Sequence, residues 1–171
     1  MGSRGRAIVI TGLGLLLALG AVPSAALDRD ARITKDGLGS LRVGMTLAEV
    51  RAANGGKPVD TDNQAGGGSC SSAVLGKNVF GLFTDDVLAS VSVRTSRYRT
   101  RTGVHVGQSS STVYSRYRSV KRSRHTYIPG GSYLKVTTGR RRIVFDVDAS
   151  RRITLITSGR IPEVDYVEGC A

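Results

Sequence analysis

An internal repeat constrains this chain more than any other feature. Residues 41–50 and 104–113 lie 63 positions apart and share one pattern: apolar, polar, apolar, Gly, any residue, Ser or Thr, and Val four residues later. The pattern is typical of a turn that leads into a short helix. One unit of about 63 residues would be marginal alone, so two units are expected to share a core.

Each copy is expected to begin a helix. In the first copy Thr46 is a good N-cap, and Glu49 three residues later completes a capping box. Leu47, Val50 and Ala53 then share one helical face. In the second copy Ser109 is the expected cap, and the Ser and Thr residues that follow make the helix weaker.

Short extended runs separated by turn residues follow each helix and are typical of hairpins. A Gly-rich, polar stretch over 60–72 is expected to be a loop. The sequence therefore predicts an α+β fold of two tandem repeats, each a short helix packed on an antiparallel β-meander. The repeats span 27–98 and 99–171 and form one compact domain. The predicted strands are 78–83, 87–93, 125–128, 132–137, 142–147 and 153–157.

The first 26 residues are expected to be a Sec-type export signal. Arg4 and Arg6 precede sixteen residues, 7–22, of which only Thr11 is polar, and small residues follow Pro23. The alternative is an uncleaved anchor, but sixteen residues span about 24 Å, less than the ~30 Å hydrocarbon core. The sequence thus predicts a secreted bacterial protein without a transmembrane segment after cleavage.

The mature chain contains two cysteines, Cys70 and Cys170. An even count in an oxidising compartment favours a disulfide. The alternatives are free thiols or metal ligands, but neither these residues nor His105 and His125 have paired-ligand spacing. We expect a disulfide, no metal and no cofactor.

The run Val43-Gly44-Met45-Thr46 with Val50 resembles the start of the helix in the β-lactamase-inhibitor-protein-like fold. The SmpA/OmlA outer-membrane assembly lipoproteins have a similar start, and the second copy at Val106-Gly107 resembles the two-repeat arrangement of the inhibitor. The chain also resembles a group of uncharacterised secreted bacterial proteins that share Gly37-Leu38-Gly39, a mid-chain Cys and an ending like 167–170. The resemblance implies a fold whose better-known members bind proteins without catalysis. The inhibitor has one disulfide in each half and the lipoproteins have a lipid-linked Cys, so no functional residue is transferred to this chain.

The middle of the chain is strongly basic. The 25 Lys and Arg residues exceed the 13 Asp and Glu, and 13 of the basic residues lie between Val87 and Phe145, where there is no acidic residue. Guanidinium groups bind phosphates and carboxylates, and tyrosines add stacking, so this pattern favours a surface that binds polyanions or an acidic partner. The alternative is a set of solvated sheet edges on which charge prevents aggregation. The candidate contact residues are Arg97, Arg99, Arg101, Arg116, Arg118, Arg122, Arg124, Tyr98 and Tyr117.

Chemical motifs are weak. Ser132 and Lys135 have S-x-x-K spacing, but in a strand their side chains point to opposite faces, and Asp85-Asp86 is typical of a turn. No nucleophile and base stand out, and no motif favours sequence-specific binding of nucleic acid. We therefore expect a monomeric, non-catalytic binding module for an anionic cell-envelope polymer or an acidic protein. The alternatives are an inhibitor of a secreted or periplasmic hydrolase and, less favoured, an enzyme that acts on envelope polymers.

Overall fold

The computed structural model describes residues 27–28, 30–57, 59, 61–62 and 70–170. The predicted export signal, 1–26, lies outside the described residues, as does most of the predicted loop over 60–72. Within the described part of the chain, no helix is both long and apolar enough to cross a membrane.

Within the described ranges the fold consists of two largely antiparallel sheets and two short helices, which confirms the α+β class. The small sheet contains β1 (Arg32–Thr34), β2 (Gly37–Leu38), β3 (Leu41–Arg42) and β8 (Arg99–Thr100). The large sheet contains β4 (Thr61–Asp62), β5 (Cys70–Gly76), β6 (Val79–Thr84), β7 (Val87–Val93), β9 (Lys121–Arg124), β10 (Ser132–Thr138), β11 (Arg141–Val147) and β12 (Ile153–Arg160). The helices are α1 (Leu47–Ala53) and α2 (Ser111–Arg116), and Glu163–Asp165 is a 3₁₀ turn.

The strand order of the large sheet is β4-β5-β6-β7-β12-β11-β10-β9. The four strands that follow α1 thus occupy one half of the sheet, and the four that follow α2 occupy the other. The last strands of the two halves, β7 and β12, pair antiparallel at the centre. That the two halves are tandem repeats stays a prediction.

The glycines of the two sequence motifs make the same contacts with the large sheet. The Gly44 N–H donates to the Leu88 carbonyl, and the Gly107 N–H donates to the Ile153 carbonyl, both at 2.8 Å. Gly44 has φ 101° and Gly107 has φ 92°, values that side chains disfavour. The shared glycine is therefore required by a turn that connects each helix to a strand of the sheet.

The predicted capping box of α1 is present. Thr46 Oγ1 accepts from the Glu49 N–H at 3.3 Å, and the Thr46 N–H donates to Glu49 Oε2 at 2.8 Å. This backbone hydrogen bond from Thr46 lowers the pKa of Glu49. In α2 the N-cap is Ser110, without a side-chain cap, while Ser109 Oγ accepts from the Ser111 N–H at 3.3 Å.

The helices and the small sheet cover one face of the large sheet. Val50 of α1, Val113 of α2 and Leu38 of β2 are fully buried against strand residues such as Phe145 and Ile156. This face, named the core face, holds the main hydrophobic core.

Two predicted segments differ from the structure. The strand expected over 125–128 is Lys121–Arg124 instead, and 125–131 forms bends and a turn. Residues 125–128 turn instead of extending because the N–H groups of Tyr127 and Ile128 both donate to Nδ1 of His125, at 3.1 and 3.2 Å. Residues 70–72, expected in the loop, belong to β5.

We expect Gly159→Ala to lower the free energy of unfolding by about 2 kcal/mol, a typical cost of overpacking. A Cβ at Gly159 would lie 2.5 Å from Ser90 Cβ and 2.6 Å from the Ala89 carbonyl oxygen, where β12 meets β7. Chemical denaturation measures the change. Gly76→Ala is the matched control, because its Cβ would meet no atom closer than 3.7 Å. Equal effects of the two variants would contradict close packing at the central strand pair.

Candidate functional site

The first group of predicted arginines lies at the small sheet. Arg97, Arg99 and Arg101 are exposed, whereas the residues between them, Tyr98 and Thr100, are buried. The alternation expected from the sequence therefore places three guanidinium groups toward solvent. Arg99 of β8 is also the register partner of Arg32 in β1, so a fourth cation lies beside this group.

The second group lies at one edge of the large sheet. Arg116 ends α2 and Arg118 follows it, while Arg122 and Arg124 belong to the edge strand β9, and all four are exposed. Among the described residues, no carboxylate lies within 4.0 Å of any arginine in either group.

The two predicted contact tyrosines belong to the core rather than to a binding surface. Tyr98 is 4% exposed, and Tyr117 is half-buried with its ring 5.7 Å from that of Phe145. The alternation at 97–101 correctly predicts which residues point outward. The expectation that Tyr98 contacts a ligand had a different basis, namely that aromatic residues also occur in binding sites. The exposed tyrosines are Tyr114, Tyr127 and Tyr166.

A groove that the sequence did not reveal lies on the other face of the large sheet. Its volume is about 560 Å³, within the range of small-molecule sites. Its floor is formed by strand residues such as Ser92 and Thr157, and its wall is formed by residues 163–169 of the C-terminal segment, 161–170. Val164 of this segment packs on Tyr133 and Val144, which fixes the wall against the sheet.

A disulfide and three ion pairs hold the C-terminal segment in place. Cys70 and Cys170 are joined as predicted, with 5.5 Å between their Cα atoms and a sequence separation of 100. The ion pairs connect Arg160 with Glu163 at 2.7 Å, Lys135 with Asp165 at 3.0 Å, and Arg142 with Asp165.

Among the titratable groups of the groove, Asp146 has the most strongly shifted pKa. Its side chain is 17% exposed, and burial raises the pKa of its carboxyl to about 6, although the charges of Arg94 and Lys135 act in the opposite direction. Among the described residues no hydrogen-bond donor reaches this carboxylate, and the nearest ring nitrogen, Nε2 of His125, lies 3.8 Å away.

His125 is held as a neutral ring. Its Nδ1 faces two backbone donors, the N–H groups of Tyr127 and Ile128, so the ring proton belongs on Nε2, which points toward Asp146. Burial also lowers the pKa of His125. Neither ring nitrogen is placed to take a proton from a nucleophile, so this His–Asp pair does not have the arrangement of the His and Asp of a hydrolytic triad.

One sequence signal could have indicated the groove. Asp146 is the only acidic residue in β11, and in a strand it alternates with the buried Phe145 and Val147. An acidic residue that alternates with buried apolar residues in a strand indicates a polar site on the face of the sheet opposite the core face. The C-terminal wall has no comparable signal.

Comparison with known proteins gives a fold but no function. No protein-family model matches the chain, and no curated protein matches it. The uncharacterized protein yfeY from Escherichia coli is similar, with a TM-score of 0.55 and 14% identity over 75% of this chain and 99% of that chain. An extracellular protein containing a SCP domain from Bacillus anthracis str. Ames is similar with a TM-score of 0.51 and 10% identity, over 87% of this chain and 50% of that chain.

One of these two bacterial proteins is uncharacterized and the other is extracellular. At such low identities they show the fold alone. The resemblance to the β-lactamase-inhibitor-protein-like fold stays a prediction.

Proposed function

We propose that this protein is a secreted bacterial binding module without catalytic activity, and that it holds an anionic cell-envelope polymer or an acidic protein. The contact residues are the arginine surface, defined as Arg97, Arg99, Arg101, Arg116, Arg118, Arg122 and Arg124. One observation supports this proposal above all: the seven side chains are exposed, and within the described residues none has a carboxylate within 4.0 Å.

Unpaired cations at a surface are suited to an external anion. Arg32 and Arg99 lie side by side on paired strands, and like charges in such positions repel. A phosphate or carboxylate between them relieves the repulsion and accepts hydrogen bonds from both guanidinium groups. The arrangement therefore favours an anionic ligand over a neutral one.

Secretion is supported by two features. The sequence pattern over 1–26 is that of an export signal, and the disulfide is a bond that persists in oxidising compartments. The partner would then be a molecule of the envelope or of the surroundings of the cell.

The test is retention of the mature chain, 27–171, on heparin and on purified anionic envelope polymer. We expect a triple variant with Arg97, Arg99 and Arg101 replaced by Glu to bind about tenfold or more weakly. The binding of the natural protein should fall steeply with added salt, because exposed charges are screened. Elution salt and dissociation constants are the measurements.

A matched variant separates the surface from net charge. Replacing Arg51, Lys77 and Arg140 by Glu changes the charge equally, and these three residues are also exposed. This control should bind as the natural protein does. Equal losses in both variants would contradict a specific surface, and salt-insensitive capture of a hydrolase would favour the inhibitor alternative.

A further inference from the structure

The groove contains two side chains of opposite charge that form no ion pair within 4.0 Å to a Lys, Arg, Asp or Glu among the described residues, although the Arg94 guanidinium lies 5.4 Å from the centre of the Phe80 ring. No donor among the described residues hydrogen-bonds to the Asp146 carboxylate, and no described carboxylate lies within 4.0 Å of Arg94. Both residues line the same 560 Å³ groove.

The other acidic groups that line the groove already have partners. Glu163 Oε1 accepts from Arg160 and from Thr84, at 2.7 and 3.0 Å. Asp165 pairs with Lys135 and Arg142, and Glu168 accepts from the Tyr127 hydroxyl. Glu163 Oε2 has no hydrogen-bond partner among the described residues, but it is buried out of reach of a ligand. Asp146 is therefore the acidic group best able to accept a new cation.

The register of the sheet sets the spacing between the two groups. Asp146 of β11 pairs with Leu155 of β12, and Arg94 directly follows Val93, which pairs with Ile156. Arg94 and Asp146 thus lie on opposite sides of Leu155. Their backbones are two strand spacings, or about 9.6 Å, apart. An extended dipeptide spans about 7 Å, and the long Arg94 side chain covers the remainder.

Hydroxyl groups occupy the neighbouring row of the floor. Ser92 and Thr157 are register partners, and their oxygens lie 2.9 Å apart. Each hydroxyl can both donate and accept, which suits the N–H and C=O groups of a peptide bond.

We propose that the groove binds a short zwitterionic peptide of dipeptide size, with its N-terminal ammonium at Asp146 and its C-terminal carboxylate at Arg94. The charge distribution requires both ends of the ligand to be free. The neutral His125 ring fits this role, since it adds no positive charge beside the ammonium. This site shares Arg124 with the arginine surface, but neither end of the dipeptide contacts that residue, so the proposal does not depend on the proposed function.

The test uses L-alanyl-L-alanine as the probe, with calorimetry and amide chemical shifts of groove residues as readouts. We expect binding by the free dipeptide and about tenfold weaker binding by its N-acetyl and C-amide forms. Asp146→Asn should abolish the preference for a free amino group, and Arg94→Gln should abolish the preference for a free carboxylate. A protein that binds capped and free dipeptides equally, or that binds neither at millimolar concentrations, overturns the proposal.

Arg124→Gln is the matched control, because Arg124 also lines the groove and belongs to the arginine surface. This variant should bind the dipeptide as the natural protein does. Loss of dipeptide binding in Arg124→Gln but not in Arg94→Gln would show that the carboxylate site is wrongly assigned. Arg94→Gln should leave retention on heparin unchanged, so failure here and failure of the proposed function are distinguishable.

Discussion

Replacing Cys70 and Cys170 together by Ser is expected to lower the free energy of unfolding by about 4 kcal/mol. The bond closes a loop with a sequence separation of 100, and in the chain-entropy model a loop of this length is worth ~4.7 kcal/mol at most. The chain contains few aromatic residues, 5% of the total, to supply burial in its place. The loss is therefore a large part of the stability of a domain of this size.

Urea denaturation of the natural protein, the double Ser variant and the reduced natural protein measures this effect. The reduced protein and the double variant should have the same midpoint, which shows that the missing bond, and not the serine side chains, causes the loss. A decrease of less than about 1 kcal/mol would mean that the unfolded chain is not constrained as the loop model requires.

The same change is expected to release only the end of the C-terminal segment. Val164 stays packed on Tyr133, and the ion pairs of Glu163 and Asp165 remain. Residues 166–169, which form part of the groove wall, lose the covalent attachment to β5 that Cys170 provides. Loss of the disulfide is therefore expected to change both the stability of the fold and the shape of the groove.

Local features of the fold were predictable from the sequence because they depend on neighbouring residues. The capping box at Thr46 and Glu49 specifies where α1 begins, and the turn at Asp85-Asp86 separates two strands that pair as expected. Both turn residues have positive φ, which Asp tolerates better than most residues.

Features that depend on distant contacts were not predictable. Alternation in β11 shows that Phe145 and Asp146 lie on opposite faces, but not what covers the second face. The pairing of β7 with β12 and the position of the C-terminal segment both join residues far apart in the chain. The groove results from these contacts, so its residues have no common sequence pattern.

The burial of Tyr98 shows the same limit. A tyrosine between two exposed arginines matches a binding pattern and a core pattern equally well, and burial against the rest of the fold decides between them. The Arg97 guanidinium lies 5.5 Å from the centre of the Tyr98 ring, so the tyrosine supports an arginine of the surface without itself being exposed.

Asp146→Asn is expected to make the protein more stable above pH 6, by up to about 3 kcal/mol. Burial raises the pKa of Asp146 from its ordinary 3.8 to about 6, so the folded state keeps a proton that the unfolded chain releases between these values. Because the folded state binds more protons there, the stability of the natural protein falls as pH rises from about 4 to 6. The amide is neutral at every pH and avoids this cost.

The measurement is the difference in unfolding free energy between Asp146→Asn and the natural protein from pH 4 to 8, since groups that do not interact with Asp146 cancel in the difference. The difference should increase up to pH 6 and then remain constant. Glu163→Gln is the opposing control: burial raises the pKa of Glu163, but hydrogen bonds from its backbone, Arg160 and Thr84 outweigh burial and lower it. That variant should become less stable than the natural protein as pH rises. A flat difference for Asp146→Asn would show that its carboxyl is not desolvated. The expected profile would show that the groove keeps a charged carboxylate although this charge lowers the stability of the fold, as is common in binding sites.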